Sequence, residues 1–308
     1  MATNSIMALA DHDPEREYTL QQPRAKLSQQ EMEDELAALA PFHHAIDLPF
    51  GLSTYDKAIA RHDRERTRLQ SLTDHLWPTL LEAYGGSLAG LRVLDIACNC
   101  GGFAFEAARA GAAEVVGIDV DAHYIRQADF IRDALDMDNV TFRVARLEDL
   151  DHAEIGSFDI VFFFGILYHL PDPIGALQRI SAIARDMIVV DTSLLRFRYI
   201  DGLVKWPLWR MKVVPAMIDS DHDITTGRWR TAKSVQFYPN RIAVREALQF
   251  AGFDAVDLLP PTCANLEKRY YQGKRATFVA RKGQSFSSAR RSTISPSTAG
   301  PALQTRAN

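Results

Sequence analysis

The sequence predicts a doubly wound α/β fold, in which a β-sheet of parallel strands is covered by helices on both faces. Across residues 92–194, short runs that are apolar at nearly every position recur, as is typical of strands buried on both faces of a parallel sheet. Segments with helical spacing of apolar residues separate these runs. Strands and helices that alternate in this way form βαβ units, and we therefore expect a doubly wound core.

The elements of this core follow one another in a regular order. The predicted strands of the parallel sheet span residues 92–96, 114–119, 140–144, 158–164 and 187–194. Helices are predicted in the segment FAFEAARA, which ends at Gly111, and over residues 121–135 and 173–185. A helix at 240–251, ended by Gly252, and strands at 255–259 and 275–282 close the core.

Composition and periodicity divide the chain into six segments. The two ends are polar and lack apolar periodicity, so we expect disordered tails. Before the core, a helix capped by Ser28 and a second helix near 63–84 are predicted. In order, the segments are a tail (1–27), an N-terminal helical cap (28–90), the core (91–194), an irregular insertion or substrate lid (195–235), the C-terminal part of the core (236–283) and a tail (284–308).

The overall composition excludes several classes of protein. The 308 residues are 47% hydrophobic and 24% charged, which excludes a disordered or fibrous chain. The net charge of −4 argues against a general nucleic-acid binder. Three cysteines, two of them in Cys98-x-Cys100, indicate a reducing compartment. Since the sequence lacks a signal-peptide pattern and any apolar run of membrane-spanning length, we expect a cytoplasmic protein without stable membrane insertion.

The loops after the predicted strands carry the chemistry, because ligands of doubly wound sheets bind beyond the carboxyl ends of the strands. The loop VLDIACNCGG, residues 93–102, lacks the glycine spacing of dinucleotide sites, and the chain has no phosphate-binding GKS/T loop. Asp119, at the end of the second strand, can accept hydrogen bonds from both hydroxyls of a ribose. The loop RLEDL, residues 146–150, supplies an apolar residue and two carboxylates that can flank and hydrogen-bond an adenine. These loops fit a nucleoside cofactor without phosphates, such as S-adenosylmethionine.

Three blocks in this order resemble the class I S-adenosylmethionine-dependent methyltransferases: VLDIACNCGG (93–102), GIDVD (117–121) and FDIVFFFGILYHLPDP (158–173). More narrowly, CNCGG, GILYHLPDP and SVQFYPNRIAVREALQFAGFDAVDLL (234–259) resemble the branch of the tRNA wobble-uridine carboxymethyltransferases and their small-molecule relatives. The resemblance implies a Rossmann-like sheet and an S-adenosylmethionine-dependent methyltransferase.

The resemblance also implies roles for individual residues. It assigns Asp95 and Ala97 to the methionine end of the cofactor, with Ala97 in place of the family's first glycine, and Asp119 to the ribose. Phe164 and Tyr168 fall where the family contacts the cofactor and the transferred group. The implied cofactor-binding set is Asp95, Ala97, Cys98, Asn99, Gly101, Asp119, Val120, Leu147, Glu148 and Phe164.

Catalysis and acceptor binding are assigned to residues beyond the fourth strand and in the insertion. His169, with Tyr168 and Asp172, forms the expected catalytic group, because a histidine has the side-chain pKa best suited to a general base. A structural hydrogen bond to a backbone carbonyl is an equal alternative for His169. The expected acceptor-binding residues are Tyr168, Trp206, Trp209, His222, Trp229 and Lys233. No metal site is expected, since the two nearby cysteines lack the further ligands that zinc requires.

The acceptor itself remains open between alternatives. The carboxymethyltransferases place basic residues after their Tyr-His pair, whereas Leu170 and Pro171 stand there in this chain. Because a buried carboxylate without a cation is costly, the sequence favours ordinary S-adenosylmethionine and a small-molecule acceptor methylated on oxygen. One alternative is a wobble uridine of tRNA. Another, prompted by Ala97, is a cofactor-binding protein without catalytic activity.

Overall fold

A sheet of seven strands forms the centre of the computed structural model, which describes residues 27–55, 60–195, 216–223, 228–262 and 264–283. For residues 60–68, 216–223 and 228–237 it describes the backbone alone. The strands in the described residues are β1 (Arg92–Ile96), β2 (Glu114–Asp119), β3 (Val140–Val144), β4 (Phe158–Phe164), β5 (Ala184–Ser193), β6 (Ala216–Asp223), β7 (Arg228–Phe237), β8 (Ala255–Leu258) and β9 (Arg275–Arg281). The sheet has the order β3-β2-β1-β4-β5-β9-β8, and β6 and β7 form a separate pair.

Five strands of the sheet are parallel, as predicted. They pair as β3 with β2, β2 with β1, β1 with β4, and β4 with β5. The last strand, β9, runs antiparallel to both β5 and β8, so the complete sheet is mixed. The predicted bounds of the first four strands are confirmed, whereas β5 begins at Ala184 rather than at 187.

The strand order reverses between β1 and β4. From β1 the chain builds outward to β2 and β3, and it then returns to place β4 on the other side of β1, where Val93 pairs with Ile160. The loops that follow β1 and β4 therefore leave in opposite directions and open a crevice at the carboxyl ends of these strands. This crevice is where a ligand of the sheet is expected.

Helices cover both faces of the sheet. Within the described residues they are α1 (Gln29–Leu39), α2 (Ala60–Ala83), α3 (Gly102–Arg109), α4 (Ala122–Leu135), α5 (His152–Ile155), α6 (Pro173–Ile183), α7 (Arg241–Phe250) and α8 (Lys268–Tyr271). Ser28 begins α1 with a capping box, in which its side chain and that of Glu31 bond each other's backbone N–H groups. Helix α1 packs on α4, and α2 packs on α3, so the predicted N-terminal helices form a layer on one face.

Alternate residues of the central strands pack into two separate hydrophobic layers. Val93 and Val115 belong to the layer that also contains residues of α1 to α4. Leu94 and Val116 belong to the opposite layer, with residues of α6 and α7. All four side chains are buried, which explains why the strands are apolar at successive positions rather than at alternate ones.

The insertion contains regular structure that the sequence analysis did not predict. Strands β6 and β7 pair antiparallel, with the backbone of His222 opposite that of Trp229 and Ser220 opposite Lys233. The prediction of an irregular segment over 195–235 is therefore wrong for these residues. Aspartates, which are uncommon in strands, occupy three of the eight positions of β6, 219, 221 and 223, and obscure its pattern. Strand β7 lies against the turn at Leu167–His169, at the end of β4.

Several expectations fall on parts of the chain that the structure does not describe. Trp206 and Trp209 lie outside the described residues, as do the predicted tails except Leu27. Among the helices that are described, none is both long enough and apolar enough to cross a membrane.

Candidate active site

A cavity of about 900 Å³ lies at the carboxyl ends of β1, β2 and β4, where the strand order reverses. Its walls come from the loops after these strands, from the segment between α1 and α2, and from the region around α8 and β9. A cavity of this size accommodates a cofactor together with a small acceptor. The cavity is thus found where the doubly wound topology predicts it.

The loop after β1 adopts an unusual backbone conformation. Ala97 and Asn99 have φ angles of 59° and 54°, in the left-handed region that favours glycine. For alanine, this conformation costs roughly 1–2 kcal/mol. Ala97 therefore holds the backbone shape that a glycine would adopt freely, and it lines the cavity together with Cys98 and Asn99.

Asp119 fixes this loop and faces the same cavity. Its Oδ2 accepts a hydrogen bond from the backbone N–H of Asn99 (3.0 Å), and its Oδ1 accepts one from the N–H of Asp121 (3.0 Å). The residue is 8% exposed and lines the cavity beside Val120. Because a carboxylate oxygen can accept more than one hydrogen bond, these contacts are compatible with further bonds to a pair of hydroxyl groups.

Asp95 presents a buried carboxylate to the cavity. The backbone N–H of Ala104 donates to this carboxylate, but its Oδ2 has no hydrogen-bond partner within the described residues. Burial, reinforced by the nearby charge of Asp119, raises the pKa of Asp95 to about 8. An orphaned carboxylate oxygen of this kind fits a cationic amino group, such as the one at the amino-acid end of S-adenosylmethionine. The residues present therefore fit that cofactor.

The adenine-binding residues predicted from the sequence also reach the cavity. Leu147 and Glu148 lie in a short 3-10 turn after β3, and both line the cavity. Leu147 is buried, so it offers an apolar surface, while Glu148 supplies acceptor oxygens. Phe164, at the end of β4, lines the cavity as well.

Gly101 lies outside the cavity wall, in contrast to its predicted role in cofactor binding. It precedes α3 with a φ of 83°, and a Cβ atom added there would lie 2.6 Å from the ring of Phe142. The glycine is thus required by packing and by the backbone turn that begins α3. Gly101 therefore influences the cavity indirectly, through the direction of the backbone.

The two cysteines of the loop are buried free thiols. Burial raises the pKa of Cys98 well above its ordinary value and that of Cys100 to about 11. Both thiols are therefore neutral near pH 7, and Cys100 Sγ accepts a hydrogen bond from the N–H of His44 (3.2 Å). In the part of the chain that is described, no group of three or more His, Cys, Asp or Glu side chains is placed to hold a metal ion.

Aromatic side chains line the cavity at and just after the end of β4, in a region that we call the acceptor end and define by Phe164, Tyr168 and His169. The rings of Tyr168 and His169 have centroids 4.1 Å apart, and Tyr168 stacks on Tyr238 at 5.6 Å. Phe103 meets Phe164 edge to face at 4.7 Å. The acceptor end is therefore suited to a planar or apolar molecule.

Asp172 does not belong to this group, and its predicted catalytic placement is corrected by the structure. The residue is exposed and does not line the cavity. Its side chain is the N-cap of α6, where Oδ1 accepts a hydrogen bond from the N–H of Gly175 (2.9 Å). An aspartate just before a proline at the start of a helix is typical of such a cap.

The sequence analysis missed two histidines in the segment between α1 and α2. His43 and His44 both line the cavity. His44 is buried, and its Nδ1 accepts a hydrogen bond from the N–H of Gly102 (3.1 Å), so the segment is attached to the start of α3. A Cβ atom at Gly102 would lie 2.6 Å from His44 Nδ1, so this contact requires glycine. The alternation of buried Phe42, His44 and Ile46 is the signal that marks the segment as packed.

Three charged residues near the C-terminal part of the core were also missed: Glu267, Arg269 and Arg275 all line the cavity. Arg275 is 2% exposed and is paired with buried Asp191, whose Oδ1 accepts a hydrogen bond from Arg275 Nε (2.6 Å). The signal in the sequence is an arginine that opens β9, RATFVAR, ahead of a mostly apolar run. The inference that the site lacks a cation, drawn from Leu170 and Pro171, is therefore wrong for the cavity as a whole.

For the remaining predicted acceptor residues, the structure does not describe the side chains. His222, Trp229 and Lys233 lie in β6 and β7, for which the backbone alone is described. Their strand pair adjoins the turn that carries Tyr168 and His169. Their part in acceptor binding stays a prediction.

Comparison with known proteins agrees with this architecture. Residues 87–236 match the family model described as a methyltransferase domain. The tRNA U34 carboxymethyltransferase of Aliarcobacter butzleri is 25% identical over 184 residues, which are 58% of this chain and 52% of that protein. The ubiquinone biosynthesis O-methyltransferase of Neisseria meningitidis serogroup A is 31% identical over 124 residues, which are 40% of this chain and 48% of that protein. The chain thus spans about half the length of these curated relatives.

A solved structure shares the fold. The N-terminal domain of EvdMO1, crystallised in the presence of SAH and D-fucose, superimposes with a TM-score of 0.59 at 21% sequence identity, covering 83% of this chain and 98% of that domain. At this level of identity the likeness concerns the fold alone. The matched model identifies residues 87–236 as a methyltransferase domain, and the strand order and the cavity at the reversal are those of the class I S-adenosylmethionine-dependent methyltransferase fold.

Proposed function

We propose that the protein transfers a methyl group from S-adenosylmethionine to a small-molecule acceptor, preferentially to an oxygen atom. The observation that carries the proposal is the cavity whose wall includes Asp95 and Asp119 together with the aromatic acceptor end. The groups proposed to bind cofactor and acceptor thus line one cavity, as group transfer between them requires.

The cofactor is held by residues from three strand ends. Asp119 would bind the ribose hydroxyls, and Leu147, Glu148 and Val120 would surround the adenine. The orphaned Oδ2 of Asp95 would receive the amino group, with the loop at 97–99 against the methionine portion. When bound, the cofactor supplies an electrophilic methyl group on a positively charged sulfur.

The acceptor end orients the second substrate and excludes water. Phe164 and Tyr168 provide aromatic walls, and the contacts with Phe103 and Tyr238 keep both rings in place. Holding the two reactants in fixed orientation supplies much of the rate in such reactions, since little covalent chemistry falls to the protein. The N-terminal helical layer completes the enclosure through His43 and His44.

A hydroxyl acceptor must also lose its proton. His169 lies in the turn after β4, lines the acceptor end and is in contact with the ring of Tyr168. We assign it the role of general base, because histidine is the side chain that most often accepts the proton in such steps. An acceptor that is already deprotonated would not need this residue.

A second candidate function is the modification of a wobble uridine in tRNA. It is favoured by relatives named tRNA U34 carboxymethyltransferase and by the three arginines that line the cavity, Arg146, Arg269 and Arg275. Binding of tRNA depends strongly on salt, because phosphate contacts release counterions. Salt-sensitive tRNA binding at low micromolar protein would favour this candidate over the small-molecule acceptor.

The proposal is tested first by native mass spectrometry of the purified protein and then by methyl transfer to a panel of phenols, carboxylic acids and tRNA. We expect bound S-adenosylmethionine or its demethylated product, and a methyl mass gain on a small molecule. The variant Asp119→Ala should lose at least about tenfold in cofactor affinity through the lost ribose contacts, whereas the nearby exposed Asp149→Ala should not.

Each alternative outcome has a definite meaning. Methyl or carboxymethyl gain on tRNA alone would replace the proposal by the second candidate. Cofactor binding without transfer to any member of a broad panel would favour a binding protein without catalytic activity. Absence of cofactor binding in the wild-type protein would contradict the proposal itself.

A further inference from the structure

Glu267 and Arg269 line the cavity, and the proposed methyl transfer uses neither of them. Phe164, the last residue of β4, pairs with Asp191 of β5, and Ser193 ends β5 two residues further on. Arg269 Nη2 donates to Ser193 Oγ (2.9 Å), so its guanidinium group is anchored where these two strands end. The Glu267–Arg269 pair therefore lies on the side of the cavity where β4 delivers the aromatic acceptor end.

Glu267 has its carboxylate in the cavity wall rather than at the start of its own helix. The residue stands at the N-cap of α8, where an acidic side chain commonly accepts a hydrogen bond from a backbone N–H, but its side chain makes no such bond. The neighbouring Leu266 is 5% exposed and belongs to the hydrophobic layer that also contains residues of α1 to α4, so the backbone here is fixed by packing. A fixed backbone thus presents the carboxylate to the cavity.

The distance between Glu267 and Arg269 leaves room for one hydroxyl group. Oε1 and Nε are 3.9 Å apart, which is beyond a hydrogen bond. A hydroxyl oxygen about 2.8 Å from each atom closes this gap, because it can accept from Nε–H while its own proton is donated to Oε1. The second carboxylate oxygen, Oε2, can accept from a hydroxyl on the neighbouring carbon. The pair therefore fits two adjacent hydroxyl groups.

The charges in the cavity wall favour a neutral ligand. Each arginine that lines the cavity forms an ion pair with an acidic side chain of the described residues: Arg146 with Glu148, Arg269 with Glu267, and Arg275 with Asp191. A carboxylate or phosphate on the ligand would compete with these acids for the same guanidinium groups. Hydroxyl groups can instead use both members of a pair, since each hydroxyl donates and accepts.

An alcohol fulfils the double role of the bridging hydroxyl better than a phenol does. The lone pair of a phenol oxygen is delocalised into the ring, so this oxygen accepts only a weak hydrogen bond from Nε–H. An alcohol oxygen accepts and donates equally well. The C–H groups of a saturated ring can in addition lie against Phe164 and Tyr168, whose rings supply apolar surface in the same cavity.

We propose that Glu267 and Arg269 form a diol subsite that binds two adjacent hydroxyl groups of the acceptor, a proposal that rests on the proposed function of the same cavity. The acceptor is then a neutral, saturated ring with several hydroxyl groups, that is, a sugar or a cyclitol. Its C–H groups lie against Phe164 and Tyr168. The subsite selects and orients this ring, and neither residue takes part in the transfer of the methyl group.

The test uses sugars that differ by one hydroxyl group, titrated calorimetrically into the protein saturated with S-adenosylhomocysteine. The probes are the methyl glycosides of glucose, galactose, mannose and xylose, each with the deoxy analogues that lack a single ring hydroxyl. We expect at least one glycoside to bind, and to lose about tenfold in affinity when either of two adjacent hydroxyls is removed, because hydrogen bonds to charged groups are lost. Catechol and the methyl glycoside of glucuronic acid are titrated alongside.

The variants Glu267→Gln and Arg269→Gln separate the subsite from the rest of the cavity. In each, the glycoside and its analogue lacking a subsite hydroxyl should bind with nearly equal affinity, because the group that distinguishes them is gone. The matched controls Glu154→Gln and Lys268→Gln change exposed residues outside the cavity wall and should keep the full preference. Binding of S-adenosylhomocysteine, measured in the same titrations, shows that each variant is folded.

Three results would overturn the diol subsite. The first is no binding of any glycoside, or equal binding of every glycoside and its deoxy analogues, which would leave Glu267 and Arg269 as a water-bridged ion pair. The second is a preference that survives both variants. The third is tighter binding of catechol or of the glucuronic acid glycoside than of any neutral glycoside, which would assign an aromatic or an acidic acceptor. Failure of the proposed function is distinguishable, since it appears as lost binding of S-adenosylhomocysteine in the wild-type protein before any sugar is added.

Discussion

Asp95 is the residue whose chemistry is most changed by its surroundings. Its carboxyl group ordinarily has a pKa of 3.8, and burial raises that pKa to about 8, so the group is protonated near pH 7 in the ligand-free protein. A cationic amino group placed against Oδ2 would stabilise the carboxylate and lower the pKa again. Binding of the cofactor and loss of a proton from Asp95 are therefore coupled.

This coupling predicts that about one proton is released when S-adenosylhomocysteine binds near pH 7. Titration calorimetry in buffers of different ionisation enthalpy measures this number directly. The affinity should rise with pH and level off above a pH of about 8, where Asp95 is already ionised. In Asp95→Asn, which keeps an acceptor for the Ala104 N–H, the release should disappear. Equal proton release in wild type and variant would contradict the assignment.

Asp172 lies close in sequence to residues of the candidate active site, but its side chain caps a helix. It directly follows the cavity-lining residues 168–171 in a segment that resembles the family motif, so the sequence suggests a catalytic role. The structure shows that its side chain caps α6. The resemblance located the segment correctly but could not tell which side chains turn toward the cavity.

We predict that Asp172→Ala lowers the free energy of unfolding by about 1 kcal/mol, the usual cost of a lost N-cap. Urea denaturation measures this change. The matched variant Asp172→Ser should restore most of the stability, because a hydroxyl oxygen can accept the same hydrogen bond from Gly175. Methyl transfer and cofactor affinity should be unaffected in both. A loss of turnover in Asp172→Ser at unchanged stability would return the residue to the catalytic group.

An element could be predicted where its own residues indicate its structure, without knowledge of distant partners. The central strands were predicted with correct bounds because residues such as Val93 and Leu94 are apolar toward both helical layers. The pairing of β6 with β7 was not predicted, because the acidic residues of β6 oppose strand formation by their own preferences. Arg275 was missed for a related reason. The sequence shows a charged residue at a strand position, but only the structure shows that Asp191 pairs with it.

For the whole molecule, buried His75 links stability to pH. The residue is 6% exposed, neither ring nitrogen has a hydrogen-bond partner within the described residues, and burial lowers the pKa from its ordinary value of 6.5, against a smaller opposite effect of Asp191. Below about pH 6.5 the unfolded chain therefore binds a proton that the folded protein does not. The free energy of unfolding should fall as the pH is lowered through this range.

We predict that His75→Leu raises the free energy of unfolding by about 1–2 kcal/mol near pH 7, because it removes two buried polar atoms that lack partners. Urea denaturation at a series of pH values between 5 and 7.5 should also show a weaker pH dependence in the variant. His75→Gln, which keeps buried polar atoms but does not titrate, serves as the control and should lose the pH dependence without the gain. An unchanged pH dependence in both variants would exclude His75 as its origin.

Residues from both ends of the described chain line the cavity. His43 and His44 precede the first strand of the sheet, and Arg275 lies in its last strand. A ligand that contacts all of these residues binds the assembled fold and not a fragment of it. Ligand binding then raises the free energy of unfolding of the complete fold, by an amount set by the ligand concentration relative to Kd. Ligand occupancy should therefore slow proteolysis at both the N-terminal helical layer and β9, although these segments lie far apart in the sequence.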